Sequence, residues 1–185
     1  VRDWIREHGR GVSVAINSTV FDNLWVDMCY ASDPGWWRKY TEHLNELKYN
    51  GERVSIAPVS RYGVKTIGSK RAAGLGQHDV HIGPIGQRNS GLQAVNVACI
   101  GGAKTVVLLG HDGKLGPKGE RHHHPDHPHP LGNAGSVDSW SAGYTRVLHA
   151  MEKRGIRAVN CTRRTAHTWP RMDLHEFLKQ EAQRV

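Results

Sequence analysis

Between Ser90 and Leu109 a helical pattern, a glycine pair and a short apolar run follow one another, and this succession constrains the fold more than any other feature. Leu92, Val95, Ala98 and Cys99 recur at the spacing that lines one helix face; Asn89 or Ser90 stands where a cap belongs, and Gly101-Gly102 ends the pattern. Thr105 to Leu109 then forms an apolar run bounded by Gly110, the pattern of a strand buried on both faces.

The same alternation runs through the rest of the chain. Residues 2–8 read as a helix closed by Gly9 and Gly11, and Val12, Val14 and Ile16 as a strand ending at Asn17-Ser18-Thr19. A second strand spans Trp25 to Ala31 and ends at Ser32-Asp33. Asp33-Pro34 is an acidic N-cap followed by proline at the first helical position, and Trp37, Tyr40, Leu44 and Leu47 share a face of that helix. Gly51 stops it before a third strand through Val54, Ile56 and Pro58. Residues 60–88 are Gly-rich and basic, with β-like pieces at Val64–Ile67 and Val80–Ile82. Trp140, Tyr144, Val147, Leu148 and Met151 mark another helix, closed by Gly155, and Ile156–Val159 a strand ending at Asn160-Cys161-Thr162. A last helix starts near Asp173, with Glu176 placed for a capping box. Helices alternating with strands predict an α/β fold: a doubly wound, mostly parallel sheet of Rossmann-like type within a single domain over residues 1–185.

Charge and cysteine usage narrow the partners. The net charge of +8 favours an anionic ligand, either a nucleotide-type small molecule or nucleic acid. The three cysteines, Cys29, Cys99 and Cys161, lie far apart in apolar stretches without C-x-x-C spacing, which argues against a disulfide framework and for a reducing, cytoplasmic setting. No apolar run reaches the length of a membrane span, and no leader pattern precedes the fold. The sequence leaves the oligomeric state open.

In open α/β sheets ligands bind beyond the carboxyl ends of the strands. Asn17, Asp33, Asp112 and Asn160 each follow an apolar run and form a candidate nucleotide site, although Asn and Asp also end strands as turn formers. Asn89-Ser90-Gly91 opens a helix whose free N–H groups suit a phosphate, with Gly91 admitting close backbone approach; the same residues also make an ordinary N-cap. Trp36 and Trp37 read as core aromatics, with one left to stack on a base or sugar, because adjacent helix positions diverge.

Residues 113–137 carry no period, and a structureless stretch of about 25 residues usually marks a lid, a binding loop or disorder. It holds His122, His123, His124, Asp126, His127 and His129 between Pro125, Pro128 and Pro130. Three readings stand: a metal site from His122, His124, Asp126 and His127, a general acid or base, or a solvated low-complexity loop. No H-E-x-x-H pair fixes ligands on a helix, so a divalent metal is permitted but not required.

The stretch Gln87-Arg88-Asn89-Ser90-Gly91, its helix, the strand Val106–Leu109 and Gly110-His111-Asp112 resemble the bacterial sialyltransferases of glycosyltransferase family 42. They also resemble the related Rossmann-like proteins that include 6-hydroxymethylpterin pyrophosphokinases and small phage-encoded proteins. The sialyltransferases have a T-S-G helix start and a strand ending in G-I-D. The phage-type members are the nearest in pattern, sharing W-W after an acidic strand end, an N-S-G helix, a His- and Pro-rich loop and a late N-C-T.

The resemblance implies that Asn89 and Ser90 contact nucleotide phosphate or base, that Asp112 anchors the ribose or the lid, and that a lid histidine (His124, His127 or His129) is the general base. Those enzymes support the leaving phosphate with lid tyrosines; this lid has none, and Lys114, Lys118 or Arg121 would take that role. Their domain opens with a strand and a G-x-G-P-S turn, neither of which is found from Val1 onward: either they precede Val1, or they are absent and nucleotide affinity is weakened. The function expected is a nucleotide-dependent transferase, glycosyl or pyrophosphoryl, using a nucleotide or nucleotide sugar. The alternatives are a metal-dependent phosphoesterase built on the histidine loop and a non-catalytic phage nucleotide- or nucleic-acid-binding protein.

Overall fold

The computed structural model describes residues 1–9, 11–71, 74–81, 89–120, 131 and 137–184. The chain divides into two compact units, Val1–Ile67 with Met172–Val185, and Gly68–Arg171.

The first unit is built on a four-stranded parallel sheet. Its strands β1 (Val14–Ile16), β2 (Met28–Tyr30), β3 (Glu52–Ser55) and β4 (Lys65–Thr66) lie side by side in sequence order. Helix α1 (Arg2–His8) precedes the sheet, α2 (Pro34–Glu46) joins β2 to β3, and α5 (Leu174–Ala182) closes the unit. The β1–β2 connection carries a 3₁₀ turn over Asn17–Asp22 instead of an α-helix. Asn17 enters it at φ 52°, a left-handed conformation that Asn tolerates better than most residues.

Helix α2 starts where Asp33 and Pro34 predict: the Asp33 carboxylate accepts from the Gly35 N–H at 2.7 Å, satisfying one of the donors orphaned at a helix start. Trp36 and Trp37 are both core aromatics, and the alternative that one stays available for stacking fails, because both are buried. Trp37 donates from its indole to Ala31 O at 2.9 Å, while Trp36 donates to the buried Ser18 hydroxyl at 3.2 Å and packs against Phe21. The 3₁₀ turn supplies a second packing surface, so the diverging rings each find a buried wall and an acceptor. Cys29, at the middle of β2, is fully buried, and desolvation pushes its thiol up to about 12, so it acts as a small hydrophobe.

The second unit contains two parallel strand pairs. Strands β5 (Ser69–Lys70) and β6 (Val80–His81) form one; β7 (Thr105–Leu108) and β8 (Arg157–Asn160) form the other, with Leu108 level with Asn160. Helix α3 (Ser90–Ile100) leads into β7, and α4 (Val137–Glu152) is the crossover from β7 to β8. Leu92 and Val95 of α3 meet Tyr144, Val147, Leu148 and Met151 of α4 and Trp169 in one apolar core. The strand expected to be buried on both faces alternates instead: Val106 and Leu108 are buried, Thr105 and Val107 only partly, and Leu109 is exposed. Among the described residues no helix is long and apolar enough to cross a membrane, and the three cysteines are free.

Candidate functional site

The carboxyl ends of β7 and β8 are tied together by their own turns. Cys161 N–H donates to Leu108 O at 2.9 Å, and Ala166 N–H to Asp112 O at 2.7 Å. Side chains complete the seam: the Thr162 hydroxyl accepts from His111 N–H at 3.0 Å, and the Thr165 hydroxyl donates to His111 O at 2.9 Å. Beneath them Asn160 is fully buried, its amide oxygen accepting from Thr162 N–H at 3.0 Å and its amide nitrogen donating to Thr165 Oγ1 at 3.3 Å. Residues 110–113 and 161–166 therefore form one preorganised rim.

This rim presents His111 to Tyr144 and His167. His111 Nδ1 lies 2.7 Å from the Tyr144 hydroxyl, which also reaches the Asn89 side-chain oxygen at 3.4 Å. The His167 ring stacks on Tyr144 with centroids 3.7 Å apart. Trp169 fixes the tyrosine from the other end, donating its indole N–H to Tyr144 O at 2.8 Å. Segment 166–168 is laid along α4 by Ser141 and Thr145, whose hydroxyls meet Ala166 O at 3.3 Å and Thr168 Oγ1 at 3.2 Å. Two glycines make the arrangement possible. A Cβ on Gly91 would strike the Tyr144 hydroxyl, and one on Gly113, which sits at φ +61°, would strike the His167 ring.

Burial sets the protonation states. Desolvation, with the neighbouring His167 adding to it, holds His111 down at about 4, and desolvation alone holds His167 at about 4. Both imidazoles are neutral at physiological pH, while burial raises Tyr144 beyond the usual phenol range, so it keeps its proton. Where the tyrosine donates to Asn89, His111 Nδ1 carries the ring proton and Nε2 the lone pair; where it donates to Nδ1, the two nitrogens exchange roles. In the first arrangement the neutral imidazole, beside a helix start, can accept a proton from a bound hydroxyl; in the second it can polarise a bound oxygen.

The candidate residues read from the sequence fall in three places. Asn89, Ser90, Gly91, Asp112, Lys114 and Asn160 belong to the second unit. Asn89 caps α3 by accepting from Leu92 N–H at 3.0 Å, Ser90 and Gly91 form the first turn of that helix, and Asp112 and Lys114 are exposed on the rim. Asn160 supports the rim from below, its amide engaged at both ends. Asn17 and Asp33 belong to the first unit, at the carboxyl edge of its sheet, and Asp33 uses its carboxylate to cap α2. Arg121, His122, His124, Asp126, His127 and His129 lie outside the described residues. Among the described residues no group of His, Cys, Asp and Glu is disposed to hold a metal ion.

The sequence reading did not single out His111, Tyr144 or His167, which the structure brings together here, nor the exposed Arg163 and Arg164 of the second turn. A signal existed. Two parallel neighbours in register place the residues just beyond their ends side by side, which would have brought 110–113 and 161–167 together. A pocket of about 370 Å³ in the same unit is lined by none of these residues. Comparison with protein families, with curated proteins and with solved structures finds no match.

Proposed function

We propose that the rim of β7 and β8 is the substrate site of a nucleotide-dependent transferase, glycosyl or pyrophosphoryl, on a doubly wound Rossmann-like scaffold. One observation carries the reading: two neutral histidines flank a protonated tyrosine at the carboxyl ends of adjacent parallel strands, beside the capped start of α3. Buried polar groups with displaced pKa values, gathered where α/β sheets bind ligands, are the expected signature of a reactive centre. The exposed Lys114, Arg163 and Arg164 would supply positive charge to the phosphates, and Ser90 and Gly91 backbone N–H groups.

In this reading His111 Nε2 takes the proton of the acceptor hydroxyl while Tyr144 and Asn89 hold the ring in the required tautomer. A bound phosphate would raise the histidine from about 4 toward neutrality, so the base strengthens when substrate is present. The lid histidines His124, His127 and His129 are the other bases the sequence offers.

The test pairs a thermal-shift screen against CMP-, UDP- and GDP-linked sugars and ATP with one variant, His111→Gln. A ligand of the native state raises the midpoint by mass action. His111→Gln should keep that shift and lose turnover by about a hundredfold or more. Full turnover in His111→Gln removes this histidine from the chemistry, and no stabilisation by any nucleotide ends the reading. A second reading, a non-catalytic nucleotide- or nucleic-acid-binding module, draws on the basic turn at Arg163 and Arg164; it predicts steeply salt-dependent binding without turnover.

A further inference from the structure

We infer that the 370 Å³ pocket of the second unit, lined by Lys70, Gln77, His78, Asp79, His81 and Arg154, binds a compact oxyanion, a phosphate or phosphomonoester group. It stands apart from the rim and does not depend on the transferase reading.

The pocket has a constructed wall. Residues 74–76 run irregularly and would leave their backbone groups unpaired, yet two helices hold them. From α3, the fully buried Asn96 accepts from Gly76 N–H at 2.9 Å and donates to Gly74 O at 3.4 Å. From the turn after α4, Arg154 donates to Gly76 O at 2.9 Å and Leu75 O at 3.0 Å, while Leu75 is sunk in the core. Gly68 and Gly76 then let Asp79 close against the backbone, since a Cβ on either would collide with it. The guanidinium of Arg154 is thereby fixed in orientation, with N–H groups beyond the two engaged on carbonyls.

The chemistry lining this wall is rich in donors. Lys70 and Arg154 outweigh the single carboxylate of Asp79, which stands 2.9 Å from Lys70 Nζ and positions it. Gln77, His78 and His81 add further donors, and His81 Nδ1 is buried without a hydrogen-bond partner in the described structure. Such an atom costs free energy unless something completes it. A small tetrahedral anion suits fixed arginine, mobile lysine and imidazole donors together.

The experiment titrates inorganic phosphate into the full chain at constant ionic strength and follows the imidazole resonances of His78 and His81 by NMR. Saturable shifts at these two histidines are expected, with His167 unmoved. Lys70→Gln leaves Asp79 unopposed and should weaken binding at least about tenfold, as should His81→Gln. Arg163→Gln with Arg164→Gln, which removes the charge the rim would offer a phosphate, should leave the response intact, so failure of the transferase reading and of this one can be told apart. A linear, non-saturating response overturns the proposal. So do equal affinities in Lys70→Gln and His81→Gln with unchanged melting midpoints, or stoichiometric Zn²⁺ moving both histidines without competition from phosphate.

Discussion

The Tyr144 hydroxyl stands 2.7 Å from His111 Nδ1 while the face of its ring covers His167 at a centroid distance of 3.7 Å, so one side chain governs two neutral histidines. Tyr144→Phe separates the two roles. The stack survives, but His111 Nδ1 loses its partner at a partly buried site, at a cost of about 1–2 kcal/mol. Urea unfolding measures the loss, and the His111 imidazole resonance should report an altered titration while that of His167 changes little.

Acid should destabilise the second unit before it affects the carboxylates generally. Both histidines titrate near 4 when folded and near 6.5 as free side chains, so the unfolded state binds more protons between those values. Stability is then complete above about pH 6.5 and falls as pH drops toward 4, by on the order of 3 kcal/mol for His111 and by less for the less deeply set His167. Melting midpoints from pH 7 to 4 test this, and His167→Gln should flatten the slope. A flat profile in the wild type would show that the rings are not desolvated.

Gly113 and Gly119 both adopt positive φ, at 61° and 83°, but differ in their surroundings. A Cβ on Gly119 meets nothing within 4 Å, so Gly119→Ala should cost only the backbone term of roughly 1 kcal/mol. At Gly113 the same methyl drives into the His167 ring, and Gly113→Ala should cost at least about 2 kcal/mol more. Thermal denaturation of the pair gives the difference directly.

Asn160→Ala leaves the Thr162 N–H without its acceptor beneath the rim. About 2–3 kcal/mol of stability should be lost, with faster amide exchange at His111 and Thr162. If stability is unchanged while nucleotide affinity falls, Asn160 contacts ligand directly and its structural role is minor.

Much of the fold was legible because its signals are local. Asp33-Pro34, Asn89 and Asp173 each cap a helix where their residue types predict, and the strand through Thr105–Leu108 lies within its apolar run. The 3₁₀ turn after β1 escaped, since Asn17-Ser18-Thr19 also suits a plain loop, and with it the wall that buries Trp36. The site was legible only as a region. His111 and Tyr144 are separated by 33 positions; the Gly110-His111-Asp112 strand end drew attention to Asp112 rather than His111, and Tyr144 read as one of a helix's apolar face. What joins them is a β7–α4–β8 crossover, known only once strand pairing is known. Asn160 shows the converse: its residue type and place suggest a ligand contact, and only the pairing shows that it is fully buried with its amide engaged by Thr162 and Thr165.

The seam between the two strand-end turns has a consequence for how this chain can tolerate change in length. Four hydrogen bonds cross between residues 108–112 and 161–166, two of them through threonine hydroxyls. A residue inserted into either turn would slip it past the other and break the set together, so the two segments are locked to a common length. Insertions, tags and grafted peptides belong instead in the exposed stretch 117–120, where among the described residues the backbone is tied locally through Gly116, Gly119 and Glu120.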